Sequence, residues 1–152
     1  MSEWVFRGTS ALALDAKGRI NVPVRHRDPL MAACNGQLTL TRHPEGYLLI
    51  YPRPVWEPIQ ARLMALSSFN EPIRRLQRLL VGHADDVEMD NAGRILVSPA
   101  LRQYAGLDHR VVLVGQGNRF ELWDETRWQD ETAQAITFST GALPTELDGF
   151  SL

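Results

Sequence analysis

Two short stretches of this chain combine an acid, a glycine and an arginine at one spacing. LALDAKGRINVP occupies 12–23 and VEMDNAGRILVSP occupies 87–99. Placing Asp90 on Asp15 sets the copies 75 residues apart and brings Gly18, Arg19, Ile20 and Val22 onto Gly93, Arg94, Ile95 and Val97. In each copy the carboxylate can accept from the amides of a tight turn, and the glycine can take the positive φ that a bulged turn requires. An arginine follows at once. Its guanidinium can pair with the acid across the turn, or grip a phosphate or the O6/N7 edge of guanine in two-pronged fashion. Both can hold, with the acid aiming the arginine. Lys17 stands on the first tip as a candidate phosphate contact, where the second tip has Ala92. The chemistry on offer is anion recognition.

Nothing else in the chain competes with it. His26, His43, His83 and His109 fall in different turns and helices with no paired spacing, so no metal site is expected. No glycine-rich phosphate loop follows a strand and no serine or cysteine nucleophile has a recognisable setting, which argues against an enzyme. The one cysteine, Cys34, is better read as a small packed residue than as a nucleophile. It cannot form an internal disulfide, which suits a reducing cytoplasm. No signal peptide is evident, and no apolar run approaches the roughly 18 residues of a membrane span.

A net charge of −2 is unusual for a protein that grips anions, but the charge is unevenly placed. Residues 1–42 hold six basic side chains against three acids, whereas 120–152 hold one against seven. A basic front and an acidic back are compatible with phosphate contact, because the local field decides. Arg7, Arg25 and Arg27 either extend the basic front or are simply solvated.

The elements that would carry the two tips follow from pattern and punctuation. Strands over 11–14 and 19–22 flank the first turn as a β-hairpin. Pro23 opens a helix through about 34, which Pro29 should break or restart. Strands over 38–42 and 47–51 enclose the HPEG turn, and YLLIY reads as buried on both faces. An amphipathic helix spans 55–66. Asn70 caps another over 72–81, closed by Gly82, with Arg74, Arg75 and Arg78 on the face away from its leucines. That triple-arginine face is either a DNA contact or, the better reading, a surface that is solvated or paired with acids of a neighbour. The second half repeats the plan. A hairpin over 86–97 leads to a short helix capped by Ser98, strands over 110–114 and 119–123 follow, and a helix capped by Asp124 runs to about Ile136. Residues 138–152 lack a period and read as mobile. With 44% hydrophobic residues there is material for a real core. One half alone cannot cover its apolar strands, so two halves exchanging strands about a pseudo-twofold axis should close a small barrel.

These segments resemble the MraZ family of bacterial regulators, built from two repeats of the SpoVT-AbrB type. The resemblance rests on FRG at 6–8, LDAKGR at 14–19, LTLTRHPEGYLLIYP at 38–52, RRLQRLLVGHA at 74–84, MDNAGR at 89–94 and LVGQGNRFELWDETRW at 113–128. It implies an α+β, β-rich fold: two tandem AbrB-like, swapped-hairpin β-barrel halves related by pseudo-twofold symmetry, with helices outside. The parts would be an N-terminal lead-in (1–8), repeat 1 (9–56), a helical connector (57–84), repeat 2 (85–128), and a helix end with a flexible tail (129–152). It implies a DNA-binding regulator, a repressor of its own division and cell-wall gene cluster, cytoplasmic and nucleoid-associated, without cofactor or membrane. Its partners would be promoter DNA with short direct repeats and itself, in a ring of the octamer or dodecamer class. DNA contact would fall to Arg19, Lys17, Arg94 and Arg7, with Asp15, Gly18, Asp90 and Gly93 supporting the turns. For Arg94 the alternative role is a subunit interface. The rival is a ring-forming interaction scaffold whose arginines are structural. RNA binding has no aromatic-lined strand face to recommend it.

Overall fold

The computed structural model describes residues 5–134 and 145–150. Eight strands and five helices appear among them in the order β1 (Thr9–Ala13), β2 (Arg19–Asn21), α1 (Val24–Cys34), β3 (Gln37–Arg42), β4 (Leu48–Pro52), α2 (Arg53–Met64), α3 (Glu71–Leu80), β5 (Asp85–Glu88), β6 (Arg94–Leu96), α4 (Pro99–Tyr104), β7 (Arg110–Gly115), β8 (Phe120–Asp124) and α5 (Glu125–Thr132). A single 3₁₀ turn follows at Thr145–Leu147. Met1 to Trp4, and most of the tail read above as mobile, lie outside the described residues.

The strands do not form two separate hairpin barrels. Six make one antiparallel sheet in the order β1-β7-β8-β4-β3-β5, and β2 with β6 makes a second, two-stranded ladder. The sheet stays open, with β1 and β5 at its two ends. The expected pairing of β1 with β2 and of β5 with β6 is therefore wrong. β1 lies on β7, β5 on β3, and β2 on β6. The reason is burial. A lone hairpin would leave Ile20 or Ile95 in water, whereas the β2–β6 ladder places them opposite one another, each 1% exposed. The strand order thus interleaves the two halves of the chain: β1 lies on β7, β3 on β5, and β4 on β8.

Alternation along the strands gives the sheet two apolar faces. Leu48, Ile50, Leu113 and Leu122 point toward the β2–β6 ladder, α1 and α4. Leu49, Tyr51, Val112 and Trp123 point the other way, under α2 and α3. β4 is buried along its whole length, as the YLLIY pattern predicts. Phe6, in the expected lead-in, is instead fixed in the core: it forms a bridge with Gly117 and packs on Phe120.

Local capping follows the sequence closely. Asn70, Ser98 and Asp124 each accept from the backbone amide three residues on. Two helix readings need correction. α1 runs unbroken through Pro29, because that proline faces solvent and the carbonyl it leaves unpaired belongs to Arg25, itself exposed. α5 ends at Thr132, capped through Ala133, instead of reaching Ile136, which lies outside the described residues.

Candidate nucleic-acid interface

Each Asp-x-x-x-Arg stretch builds its own turn. Asp15 Oδ1 accepts from the amides of Lys17 and Arg19 at 2.9 Å each, and its Oδ2 accepts from Arg19 Nε at 2.7 Å. The backbone closes the loop: the Asp15 amide donates to the Arg19 carbonyl and the Gly18 amide to the Asp15 carbonyl. The second copy repeats this bond for bond. Asp90 accepts from the amides of Ala92 (3.0 Å) and Arg94 (2.8 Å) and from Arg94 Nε (2.9 Å). The two readings of the arginine thus coexist. Each Nε is spent on the acid, and neither arginine's terminal nitrogens have a partner among the described residues. Those ends remain available, with the side chains 26% and 37% exposed.

The amide of Arg19, then its side chain and the Lys17 amide, hold the Asp15 carboxyl down at about 2. Asp90 is lowered for the same reasons, led by the Arg94 amide. Both acids are therefore charged at neutral pH, as anchors for a guanidinium must be.

The β2–β6 ladder brings the two tips together. Its register sets Arg19 opposite Leu96 and Asn21 opposite Arg94. In an antiparallel pair these four side chains share one face, while Ile20 and Ile95 take the other. Arg19 and Arg94 are diagonal neighbours, a relation that puts β-carbons roughly 7–8 Å apart. The outer face of a short, stiff ribbon thus carries two braced guanidiniums, an amide and an apolar side chain, Leu96 being 48% exposed.

Two further arginines lock the turns, and they do so crosswise. Arg102, from α4, donates its Nε to the Val97 carbonyl at 3.0 Å and lies over Gly18 of the first turn. A methyl group on Gly18 would come within 2.7 Å of that guanidinium. Arg27, from α1, donates to the Val22 carbonyl at 2.7 Å and lies over Gly93, where a methyl group would come within 2.2 Å of its Nε. Main-chain bonds cross the same way, from Val22 to Gly93 and from Val97 to Gly18. Each turn is thus gripped by the other repeat's helix.

The other predicted residues are placed as follows. Lys17 is exposed on the first tip. Arg7 is exposed at the opposite end of β1 from the first turn, so the fold does not join it to the pair. Arg25 bonds Ser10 Oγ at 2.9 Å. On α3, Arg75 pairs with Glu71 and Arg74 donates to the Ser68 carbonyl, so two of the three arginines have local partners, while Arg78 is exposed. Sequence reasoning missed Asn21 and Leu96, whose placement depends on cross-repeat register, and it missed Arg102. Arg27 and Arg102 are themselves 75 residues apart, so the repeat offset contained a signal for both.

Among the described residues no group of three His, Cys, Asp or Glu side chains converges as a metal site. His26 packs edge-on against both Phe6 and Phe120, and burial lowers its pKa. No helix there is long and apolar enough to cross a membrane.

Comparison with known proteins gives a consistent picture. The model of the MraZ protein family, described as antitoxin-like, matches residues 5–79 and again 80–150. The chain is similar to the transcriptional regulator MraZ of Methylobacillus flagellatus, with 55% identity over 97% of this chain and 100% of that one. The proteins of the same name from Nitrosospira multiformis and Nitrosomonas europaea are 56% and 53% identical over the same shares.

Proposed function

Since this chain belongs to the MraZ family, we propose that it is a transcriptional regulator that reads promoter DNA with the outer face of the β2–β6 ribbon. The observation that carries the reading is the pair of acid-braced arginines on that face, with Nε committed and the guanidinium ends free. A major groove about 12 Å wide admits a two-stranded ribbon. Arg19 and Arg94 would grip guanine edges or phosphates, Asn21 and Leu96 would lie between them, and Lys17 would take a neighbouring phosphate. Arg7 is the outlying member of the contact set. Asp15, Gly18, Asp90 and Gly93 hold the turns.

One subunit offers few phosphate contacts, so its affinity is modest and salt-dependent, with a log–log slope of about −0.9 per phosphate neutralised. We place the specificity in assembly. A ring-shaped homo-oligomer of the octamer or dodecamer class would present identical ribbons to short direct repeats and multiply weak binding through effective concentration. Occupying its own promoter, upstream of a division and cell-wall cluster, would repress it from a cytoplasmic, nucleoid-associated pool. The working division of the chain is lead-in 1–8, repeat 1 over 9–56, connector 57–84, repeat 2 over 85–128 and tail 129–152, the two repeats standing as pseudo-twofold partners.

The second reading, a ring-forming scaffold without DNA readout, draws on the exposed apolar side chains at the α2–α3 connection, Met64, Leu66 and the 95% exposed Phe69. One experiment separates the two. Wild type and Arg19→Ala are titrated at two salt concentrations against fragments from upstream of the protein's own gene carrying one or three repeats, with assembly followed by light scattering. The regulator reading expects salt-sensitive wild-type binding, tighter on three repeats, and an assembled mutant that has lost at least tenfold in affinity. Assembly by both proteins with DNA binding by neither overturns it in favour of the scaffold. Equal binding to one and three repeats removes the ring from the mechanism.

A further inference from the structure

Across the sheet from the ribbon, β4 and the α2–α3 pair enclose a hollow of about 290 Å³. That is just under the range for small-molecule sites, about 300–1,000 Å³, so only a small ligand fits. Leu49, Trp56, Ile59, Leu76 and Leu80 make apolar walls, and no acid lines it. Three polar side chains, Tyr51, Arg119 and His43, break the apolar lining. Tyr51 is only 8% exposed, and its hydroxyl has no hydrogen-bond partner among the described residues. A phenolic hydroxyl with no protein partner is free to donate to an acceptor that enters the hollow. Arg119 stands at the rim. Its Nη1 turns back toward the Gln116 carbonyl and Asn118 Oδ1, at 3.4 and 3.2 Å, while its Nε and Nη2 are uncommitted. Opposite it, His43 stacks flat on Tyr47 at 4.2 Å.

An apolar cradle with one neutral donor and one cation in its lining, and with Glu45 and Glu121 acting only at the His43 end, has a definite complement. We propose that this hollow binds a small apolar carboxylate, its ring or branched chain against Trp56 and the leucines, its oxygens accepting from the Tyr51 hydroxyl and the Arg119 guanidinium. A single cation at the rim suits a monoanion. A bare inorganic anion would leave the walls unfilled, and an apolar amine would meet Arg119 with the wrong sign. The site lies on the opposite sheet face from the arginine tips, so it can be filled without displacing DNA.

The test is equilibrium dialysis of the full chain against radiolabelled phenylacetate, with unlabelled acetate and 2-phenylethylamine as competitors. The proposal expects saturable binding of one phenylacetate per chain that neither competitor displaces. Tyr51→Phe keeps the ring and removes the hydroxyl, and Arg119→Gln keeps the length and removes the charge. Each should weaken binding about tenfold or more, the scale of one hydrogen bond to a charged group. Unchanged thermal melts will separate lost binding from lost folding. Absence of saturable binding at millimolar phenylacetate overturns the proposal, as does equal competition by the amine or undiminished binding in both variants. No DNA is present, so the result is independent of the regulator reading.

Discussion

Asp15 and Asp90 do two things with one carboxylate: one oxygen organises the turn amides and the other holds the arginine. The bonds favour the charged acid, so Asp15 is held at about 2 against an ordinary 3.8. A carboxyl depressed in the folded state stabilises the turn at every pH above the unfolded value and loses that contribution as pH falls through the folded one. The carbon resonance of the Asp15 carboxyl should therefore titrate near 2 and rise only part of the way to 3.8 in Arg19→Ala, because the leading bond, from the residue 19 amide, survives the substitution. A wild-type midpoint at the ordinary value would remove the bracing from the account. Gly93 meets two demands at once, a φ of +78° and the Arg27 side chain across it. Gly93→Ala should cost about 1–2 kcal/mol for the left-handed backbone alone and should also push Arg27 aside. Thermal melting will show the first effect and weaker DNA binding the second.

The β2–β6 ribbon has only three residue pairs, and a ladder that short is not stable by itself. It is held from below by Ile20 and Ile95 and at its ends by Arg27 and Arg102. Because the grip is crosswise, its loss should be felt crosswise. Arg102→Met should speed amide hydrogen exchange around Lys17 to Arg19 while sparing the second turn, and Arg27→Met should do the reverse. Mass spectrometry of exchanged peptides reads both. If each substitution loosened the turn of its own repeat, the reciprocal clamp would be wrong.

The two repeats are covalently joined but neither is complete. In the first, β1 and β2 have their only ladder partners among the described residues in β7 and β6. Residues 1–84 alone should therefore lack fixed structure as a monomer and fold only by pairing two copies, the symmetric arrangement that duplication replaces. Circular dichroism with sedimentation across a dilution series tests this. A folded monomeric half would contradict the shared core.

What the sequence determined by itself is whatever a few neighbouring residues decide. The Asp-x-x-Gly-Arg turns are legible because every bond the aspartate side chain makes in them spans at most four residues. The caps at Asn70, Ser98 and Asp124 are legible for the same reason, and YLLIY announces its burial by composition. The tertiary structure alone decided which strand pairs with which. The alternation in β1 and β2 fits a local hairpin as well as the exchange, and only burial of Ile20 against Ile95 separates them. The same long-range choice put Asn21 and Leu96 on the arginine face, laid Arg27 and Arg102 over glycines of the opposite repeat, and carried α1 through Pro29. Local hydrogen bonds write themselves into a sequence, but a shared core is a property of pairs of distant segments, and no single segment contains it.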